Sequence, residues 1–187
     1  NYFDVKKRLF TQILKASCKS NKTAIINLDD KYGVMLYKEL IQIKDINIIT
    51  FSLENNNATL YCNKIDLQPE HTNIVVQIKD NEYKFNLPII GKFNIYNFLS
   101  ALSVCYIEKF DFNIINEIVR KFQGTPGRLE KVSNNRGLHI YIDYAHTADA
   151  LYNVLKTLKE IKIKRLITVF GCGGDRDRTK RPLMGNA

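Results

Sequence analysis

The stretch Leu166-Ile167-Thr168-Val169 runs directly into Phe170-Gly171-Cys172-Gly173-Gly174-Asp175-Arg176-Asp177-Arg178-Thr179-Lys180-Arg181-Pro182. An apolar strand that ends in clustered glycines and then in a mixed-charge run suits few architectures. Glycines at the carboxyl end of a strand let the backbone approach a ligand closely, and open α/β sheets bind their ligands at that edge. Arg176, Lys180 and Arg181 can meet phosphate oxygens, and Pro182 suits the first turn of a following helix. The plainer reading is a solvated charged turn. The loop is not a Walker P-loop, because Gly-x-x-x-x-Gly-Lys-Ser/Thr occurs nowhere in the chain.

The rest of the pattern agrees with an α/β fold. Val5, Leu9, Phe10, Ile13 and Leu14 recur at helical spacing and predict a helix over 2–16. Thr23 to Asn27 predicts a short buried strand, followed by the acidic turn Asp29-Asp30 and a helix over about 31–40. From 45 to 89 the pattern is β, with runs at 46–51, 58–61, 73–78 and 83–87; helices return over about 93–109 and 112–122. Gln123-Gly124-Thr125-Pro126-Gly127 punctuates the chain and predicts a domain boundary, with one piece at 1–123 and another at 124–187. The second piece predicts strands at 128–133 and 138–143, a helix at 148–160 with Thr147 as N-cap, and a strand at 165–170. That order implies a parallel α/β unit.

Charge and cysteines narrow the function classes. The 187 residues carry a formal net charge of +9, which fits an anionic partner such as nucleic acid, an acidic surface or a phosphorylated substrate. The basic residues are scattered, and neither a helix-turn-helix nor an aromatic–basic RNA motif stands out. Cys18, Cys62, Cys105 and Cys172 lie far apart, so neither a zinc site nor a disulfide framework follows, and a reducing cytosol is the default. No apolar run is long enough to span a membrane. The chain opens on Asn1 and stops after Met184-Gly185-Asn186-Ala187, and it reads as an excised fragment.

Three further groups could carry chemistry. Asp143-Tyr144-Ala145-His146-Thr147-Ala148-Asp149 follows a strand. Asp143 could accept from ribose hydroxyls, and His146 could orient a neighbour or touch a phosphate, while Thr147 and Asp149 equally suit a helix start. The helical neighbours of Lys6 are Tyr2, Phe3, Leu9, Phe10 and Ile13. An amine held in an apolar stripe is more often neutral and could form a carbamate with carbon dioxide, although most such lysines reach out to water. Asn94 and Asn97 share a face at the start of a helix, where they could read a base edge or act as caps. Arg128 is either a surface charge or a phosphate clamp. His71, His139, Cys62 and Cys105 have no evident partner in sequence.

These stretches, taken in order, resemble the Mur ligases, and within that family the branch that adds the third amino acid of the peptidoglycan stem peptide. Asn1 to Phe10 resembles the helix with the family's carbamylated lysine, which maps to Lys6, a magnesium ligand by this resemblance. Ile26-Asn27-Leu28-Asp29-Asp30, Gly91-x-Phe93-Asn94-x-x-Asn97, Gly127-Arg128-Leu129-Glu130, Asp143 to Thr147 and the run from Phe170 to Met184 match further family motifs. Position 148 is Ala where Pro is common, and Thr125 replaces an aliphatic residue.

The resemblance implies part of a P-loop-type central domain, without the P-loop, followed by the start of a Rossmann-like C-terminal domain. It implies a cytoplasmic, ATP- and Mg2+-dependent ligase acting on UDP-N-acetylmuramoyl-dipeptide and an amino acid, diaminopimelate or lysine, through an acyl phosphate. Asn94 and Asn97 would hold the adenine, Asp143 the ribose, and Arg128, Lys180 and Arg181 the phosphates, with His146 beside them. Neither nucleic acid nor membrane is implied as a partner. The alternatives are a cyanophycin-synthetase-like or folylpolyglutamate-synthase-like ligase and, from another class, a basic nucleic-acid-binding module.

Overall fold

β1 (Thr23–Asn27) and β2 (Asn47–Ser52) pair in parallel, with Thr23 opposite Asn47 and Asn27 opposite Phe51. A parallel pair needs a crossover, which α2 (Lys31–Leu40) supplies. β2 in turn runs parallel to the start of β3 (Leu60–Leu67), where Phe51 faces Leu60 and Ser52 faces Tyr61. β4 (Thr72–Ile78) and β5 (Asn81–Leu87) complete a five-stranded sheet in the order β1-β2-β3-β4-β5. The computed structural model describes residues 2–161, 165–173 and 177–187. They divide into two units, one of residues 1–65, 74–85 and 93–117, the other of 66–73, 86–92 and 118–187.

In the first unit, Ala24, Ile26, Leu36, Leu40 and Ile46 form a buried cluster against which Phe10 and Leu14 pack. α2 begins at Asp30, whose carboxylate caps the helix by accepting from the backbone N–H groups of Tyr32 and Gly33, both at 2.9 Å. α3 (Lys92–Ile107) buries Ile95, Leu99 and Leu102 at helical spacing, and Phe98 meets Phe85 edge-on at 5.0 Å. α4 (Phe112–Val119) is shorter than the predicted 112–122. Its end tightens into i−3 bonds, from Lys121 N–H to Ile118 and from Phe122 N–H to Val119. The predicted helix over 2–16 forms over that whole span, α-helical as α1 (Tyr2–Arg8), π-helical over Leu9–Leu14 and α-helical again at 15–16.

Cys62 on β3 is 2% exposed, and burial pushes its thiol from the ordinary 9.0 up to about 12. The unfolded thiol therefore ionises first, and this site withdraws stability as pH rises from 9.0 towards 12. At pH 8.5 a thiol reagent should label the exposed Cys18 and leave Cys62 unmodified until denaturant is added; mass spectrometry of the labelled peptides checks this.

The second unit contains β6 (Glu130–Val132) and β7 (Ile140–Ile142), paired antiparallel with Lys131 opposite Tyr141. The Tyr141 hydroxyl donates to the Pro69 carbonyl at 2.6 Å, and Lys131 pairs with Glu70, so the segment 66–73 is held to this ribbon. α5 (Ala148–Glu160) starts where the sequence places it, with the Thr147 hydroxyl accepting from Ala150 N–H at 3.2 Å. α6 (Lys180–Asn186) follows, and Leu151, Leu158, Ile161 and Met184 are buried.

The predicted strand at 165–170 is not formed. Ile167 is 70% and Val169 94% exposed, and no strand pairs with this segment among the described residues. A parallel strand is stable when neighbours on its edges and layers on its faces take it out of water. The antiparallel β6–β7 ribbon supplies neither here, so the parallel unit predicted for this piece is absent from the described residues.

Candidate functional site

The carboxyl ends of β1 and β2 converge on Asp29. One of its oxygens accepts from the Ser52 hydroxyl; the other accepts from Leu53 N–H at 2.6 Å and from the Tyr96 hydroxyl at 2.9 Å. Ser52 is fully buried, and its Oγ also accepts from Glu54 N–H at 2.9 Å and Asn55 N–H at 2.6 Å. Burial, and then the hydrogen bond to Asp29, raise the Tyr96 phenol well above its ordinary value, so it stays a donor. This network ties the start of α3 to the strand ends. Asn94 is buried on α3 and Asn97 exposed, and the Asn97 amide donates to Asn94 Oδ1 at 3.4 Å.

The sequence reading of this region gave Ser52 and Tyr96 no role and placed Asp29 in a turn and in a family-like stretch without naming a partner for it. The available signal was a carboxylate just past a buried strand, at the edge where parallel sheets place their ligands.

Lys6 does not sit where its neighbours in sequence suggested. Phe3, Lys7, Phe10 and Leu14 are half-buried, with Phe3 against Tyr32 at 4.8 Å and the Lys7 ammonium 3.0 Å from Glu39. Lys6 lies on the opposite side with Tyr2, Leu9 and Ile13, which are 78%, 53% and 65% exposed. Its ammonium stands 5.5 Å from the centre of the Tyr2 ring and is not taken out of water. The apolar stripe exists, but it faces solvent.

In the second unit, Asp143 closes a turn. Its Oδ2 accepts from Leu129 N–H at 2.9 Å and its Oδ1 from Ala145 N–H at 2.8 Å. Leu129 has φ +45° and Gly127 φ +67°, so two left-handed residues shape the turn from Gly127 to Glu130. Gly127 N–H donates to Glu130 Oε2 and its carbonyl accepts from Tyr144 N–H, both at 2.8 Å. Each Asp143 oxygen keeps a lone pair for a hydroxyl. The Arg128 guanidinium, exposed on this turn, stands 5.8 Å from the Tyr144 ring centre.

His146 and Lys180 share a cavity of about 600 Å³ with Gly171, Cys172, Gly173, Asp177 and Met184. His146 Nδ1 lies 3.0 Å from the Tyr144 carbonyl, which can only accept, so that bond puts a proton on Nδ1 and leaves Nε2 as the second ring position. The Lys180 ammonium is 3.8 Å from Asp177, whose carboxyl is held below the usual range chiefly by the Thr179 hydroxyl. Both partners of this pair are solvated, and such a pair contributes little to stability. Arg181 is exposed on α6. Arg176 lies outside the described residues. The structure thus gathers His146 and Lys180 around the glycine loop and Arg128 with Asp143 on one turn; Asn94 and Asn97 belong to the other unit.

The family description "Mur ligase middle domain" matches residues 1–105, and "Mur ligase, glutamate ligase domain" matches residues 127–187. The chain belongs to the Mur ligase family. A UDP-N-acetylmuramoyl-L-alanyl-D-glutamate–2,6-diaminopimelate ligase of Geobacter metallireducens is 38% identical over 99% of this chain and 35% of its own length. The enzyme of the same name from Clostridium botulinum is 37% identical over 99% of this chain and 36% of its own length. A solved structure bearing that name superposes with TM-score 0.72 at 36% identity, over 99% of this chain and 37% of that one. A Mycobacterium tuberculosis folylpolyglutamate synthase, at 18% identity and TM-score 0.63 over 80% of this chain and 33% of its own, shares the fold. This Mur ligase chain therefore spans a little over a third of the diaminopimelate ligases it matches.

The mixed α/β fold expected from sequence is that of the Mur ligases. Asn94 and Asn97 fall within the middle-domain match, and Arg128, Asp143, His146, Lys180 and Arg181 within the glutamate-ligase-domain match. Among the described residues no three or more His, Cys, Asp or Glu side chains are grouped so that they could hold a metal ion. Lys6 as an ammonium is no ligand, and as a carbamate it would offer oxygens of the hard type that magnesium takes. No helix among the described residues is long and apolar enough to cross a membrane.

Proposed function

We propose that this chain is the 1–123 part of a central, ATP-binding domain and the 124–187 part of a C-terminal domain in a cytoplasmic ligase that adds diaminopimelate to UDP-N-acetylmuramoyl-L-alanyl-D-glutamate. The observation that carries this reading is identity of 36–38% over almost the whole chain to enzymes of that name. The glycine loop from Phe170 to Pro182 and the turn closed by Asp143 support it. A net charge of +9 suits substrates that carry phosphates and carboxylates.

The chemistry proceeds in two steps. A carboxylate oxygen of the dipeptide attacks the γ-phosphorus of ATP; the bond to the β–γ bridging oxygen breaks, leaving an acyl phosphate and ADP. The amino group of diaminopimelate then attacks the acyl carbon, loses a proton and expels inorganic phosphate as the amide forms. Such transfer depends on positioning and on neutralising phosphate charge.

In this reading Asn94 and Asn97 contact the adenine, Asp143 accepts from ribose hydroxyls, and Arg128, Lys180 and Arg181 meet phosphate oxygens. His146, with its Nδ1 proton held by Tyr144, orients Nε2 toward the glycine loop's ligand. Magnesium, when bound, supplies charge neutralisation, and carbamylated Lys6 would contribute oxygen ligands to it.

The test is a ligation assay of the complete polypeptide with ATP, UDP-N-acetylmuramoyl-dipeptide and either diaminopimelate or lysine. Tripeptide formation with diaminopimelate, accompanied by ADP and phosphate, is expected; exclusive use of lysine corrects the amino acid, and no product with either removes the reading. Residues 1–187 alone should show no ATP turnover, because no Walker loop is present to cradle the phosphates. Steady phosphate release by the purified chain refutes that expectation.

A further inference from the structure

Tyr96 lies between Asn94 and Asn97 on α3, and the proposed reaction gives it no task. Its hydroxyl donates to Asp29 at 2.9 Å. Asp29 is itself held by the Ser52 hydroxyl and by Leu53 N–H, and Ser52 is fixed by the backbone N–H groups of Glu54 and Asn55. The phenol is therefore docked on a rigid acceptor built from the carboxyl ends of β1 and β2. α3 also packs on its unit through buried Ile95, Leu99 and Leu102 and through Phe98 against Phe85, and the Tyr96–Asp29 bond adds a directional polar contact next to Asn97. The Asn97–Asn94 contact, at 3.4 Å, is too long to set the orientation by itself.

We infer that the Tyr96–Asp29 hydrogen bond is a positioning tether, which fixes the rotation of α3 so that the exposed amide of Asn97 is presented to the nucleotide base. The inference rests on the adenine-side reading of Asn94 and Asn97. Tyr96 and Asn97 are successive residues on the helix, so whatever turns one turns the other. With side-chain ends about 6 Å from the helix axis, a rotation of about 10° moves the Asn97 amide by about 1 Å. An error of that size is enough to spoil a directional contact with a base. Tyr96 and Asp29 touch no reacting atom in this scheme; both are positioning residues.

The experiment uses the complete ligase and steady-state kinetics in each substrate. Tyr96→Phe removes only the hydroxyl and keeps the ring in place. It should raise KM for ATP about five- to tenfold, the factor that one lost hydrogen bond of ordinary strength supplies. Values of kcat, and of KM for the nucleotide-sugar and the amino acid, should stay within about twofold, a split that general loosening of the fold does not produce. Asp29→Asn keeps an acceptor of the same size and should raise KM for ATP by less. The double variant should match Tyr96→Phe alone to within about twofold, because the two residues act through one bond.

Asn97→Ala serves as the control for the underlying reading. If Asn97→Ala raises KM for ATP and Tyr96→Phe does not, the tether is refuted and the adenine-side reading stands. If Asn97→Ala has no effect on ATP, that reading fails and the tether fails with it. A Tyr96→Phe enzyme in which every KM rises alike also overturns the inference, since the hydroxyl would then serve stability alone. Should Tyr96→Phe not fold, an unchanged KM for ATP in Asp29→Asn overturns it, and a selective rise supports it.

Discussion

Lys6→Ala in the complete ligase should lower the ligation rate by about two to three orders of magnitude, the size of effect seen when one electrostatic stabiliser of a transferring group is removed. Short carboxylic acids such as acetate should restore part of the rate. The ammonium loses a proton, and the neutral amine then adds to carbon dioxide with loss of a second proton to give a carbamate, which turns a group of charge +1 into one of −1 and a donor into an acceptor. Lys6 has the access this needs, since its side chain is exposed and its ammonium stands 5.5 Å from the Tyr2 ring centre. Alanine removes the side chain that would carry the carbamate and leaves room for a free carboxylate, hence the rescue. Lys6→Arg should fail as badly as Lys6→Ala and resist rescue, because a guanidinium keeps its charge, does not carbamylate and fills the gap. Near-normal ligation by Lys6→Ala would reduce Lys6 to a surface charge beside Tyr2.

Gly33→Ala should destabilise the first unit by about 3 kcal/mol, at the upper end of what overpacking a well-filled site costs. A Cβ on Gly33 would lie 2.0 Å from the backbone oxygen of Asn27 and 3.1 Å from its carbonyl carbon. The obstacle is backbone at the end of β1, so no side chain can swing away to relieve it. The sign makes this a sharp test: inside a helix, glycine to alanine normally stabilises by about 1 kcal/mol. Here the same change should lower the midpoint of urea unfolding of the 187-residue chain. It should also loosen the cap, because Gly33 N–H and Tyr32 N–H share the Asp30 carboxylate. An unchanged or raised midpoint would mean that α2 does not approach β1 this closely.

Much of the architecture was legible without coordinates. The strand Thr23–Asn27, the helix Lys31–Leu40 and the helix Ala148–Glu160 with its Thr147 cap stand where apolar spacing and capping chemistry place them. These are short-range effects, decided by residues within one or two turns of each other. The segment 165–170 looked equally clear, yet a strand is formed by its neighbours, and no neighbour pairs with it among the described residues. Asp143 was legible as a possible acceptor for ribose hydroxyls, but not as the residue whose oxygens also hold Leu129 and Ala145 N–H. One of those partners is 14 residues away and in a left-handed conformation that no propensity foretells.

The first helix shows where local information stops. Tyr2, Lys6, Leu9 and Ile13 make one row along it, and Phe3, Lys7, Phe10 and Leu14 make another of the same composition in kind, three large apolar side chains and one lysine. Sequence alone determined that an amphipathic helix forms there and that a lysine lies in each row. Only the tertiary structure decided which row turns inward, because the Ala24–Leu40 cluster takes Phe10 and Leu14 and Glu39 takes the ammonium of Lys7. The same holds for Asp29, whose partners Ser52 and Tyr96 lie 23 and 67 residues further along. Periodicity says which residues share a face; which face is buried depends on free energy gained against surfaces that are remote in the chain.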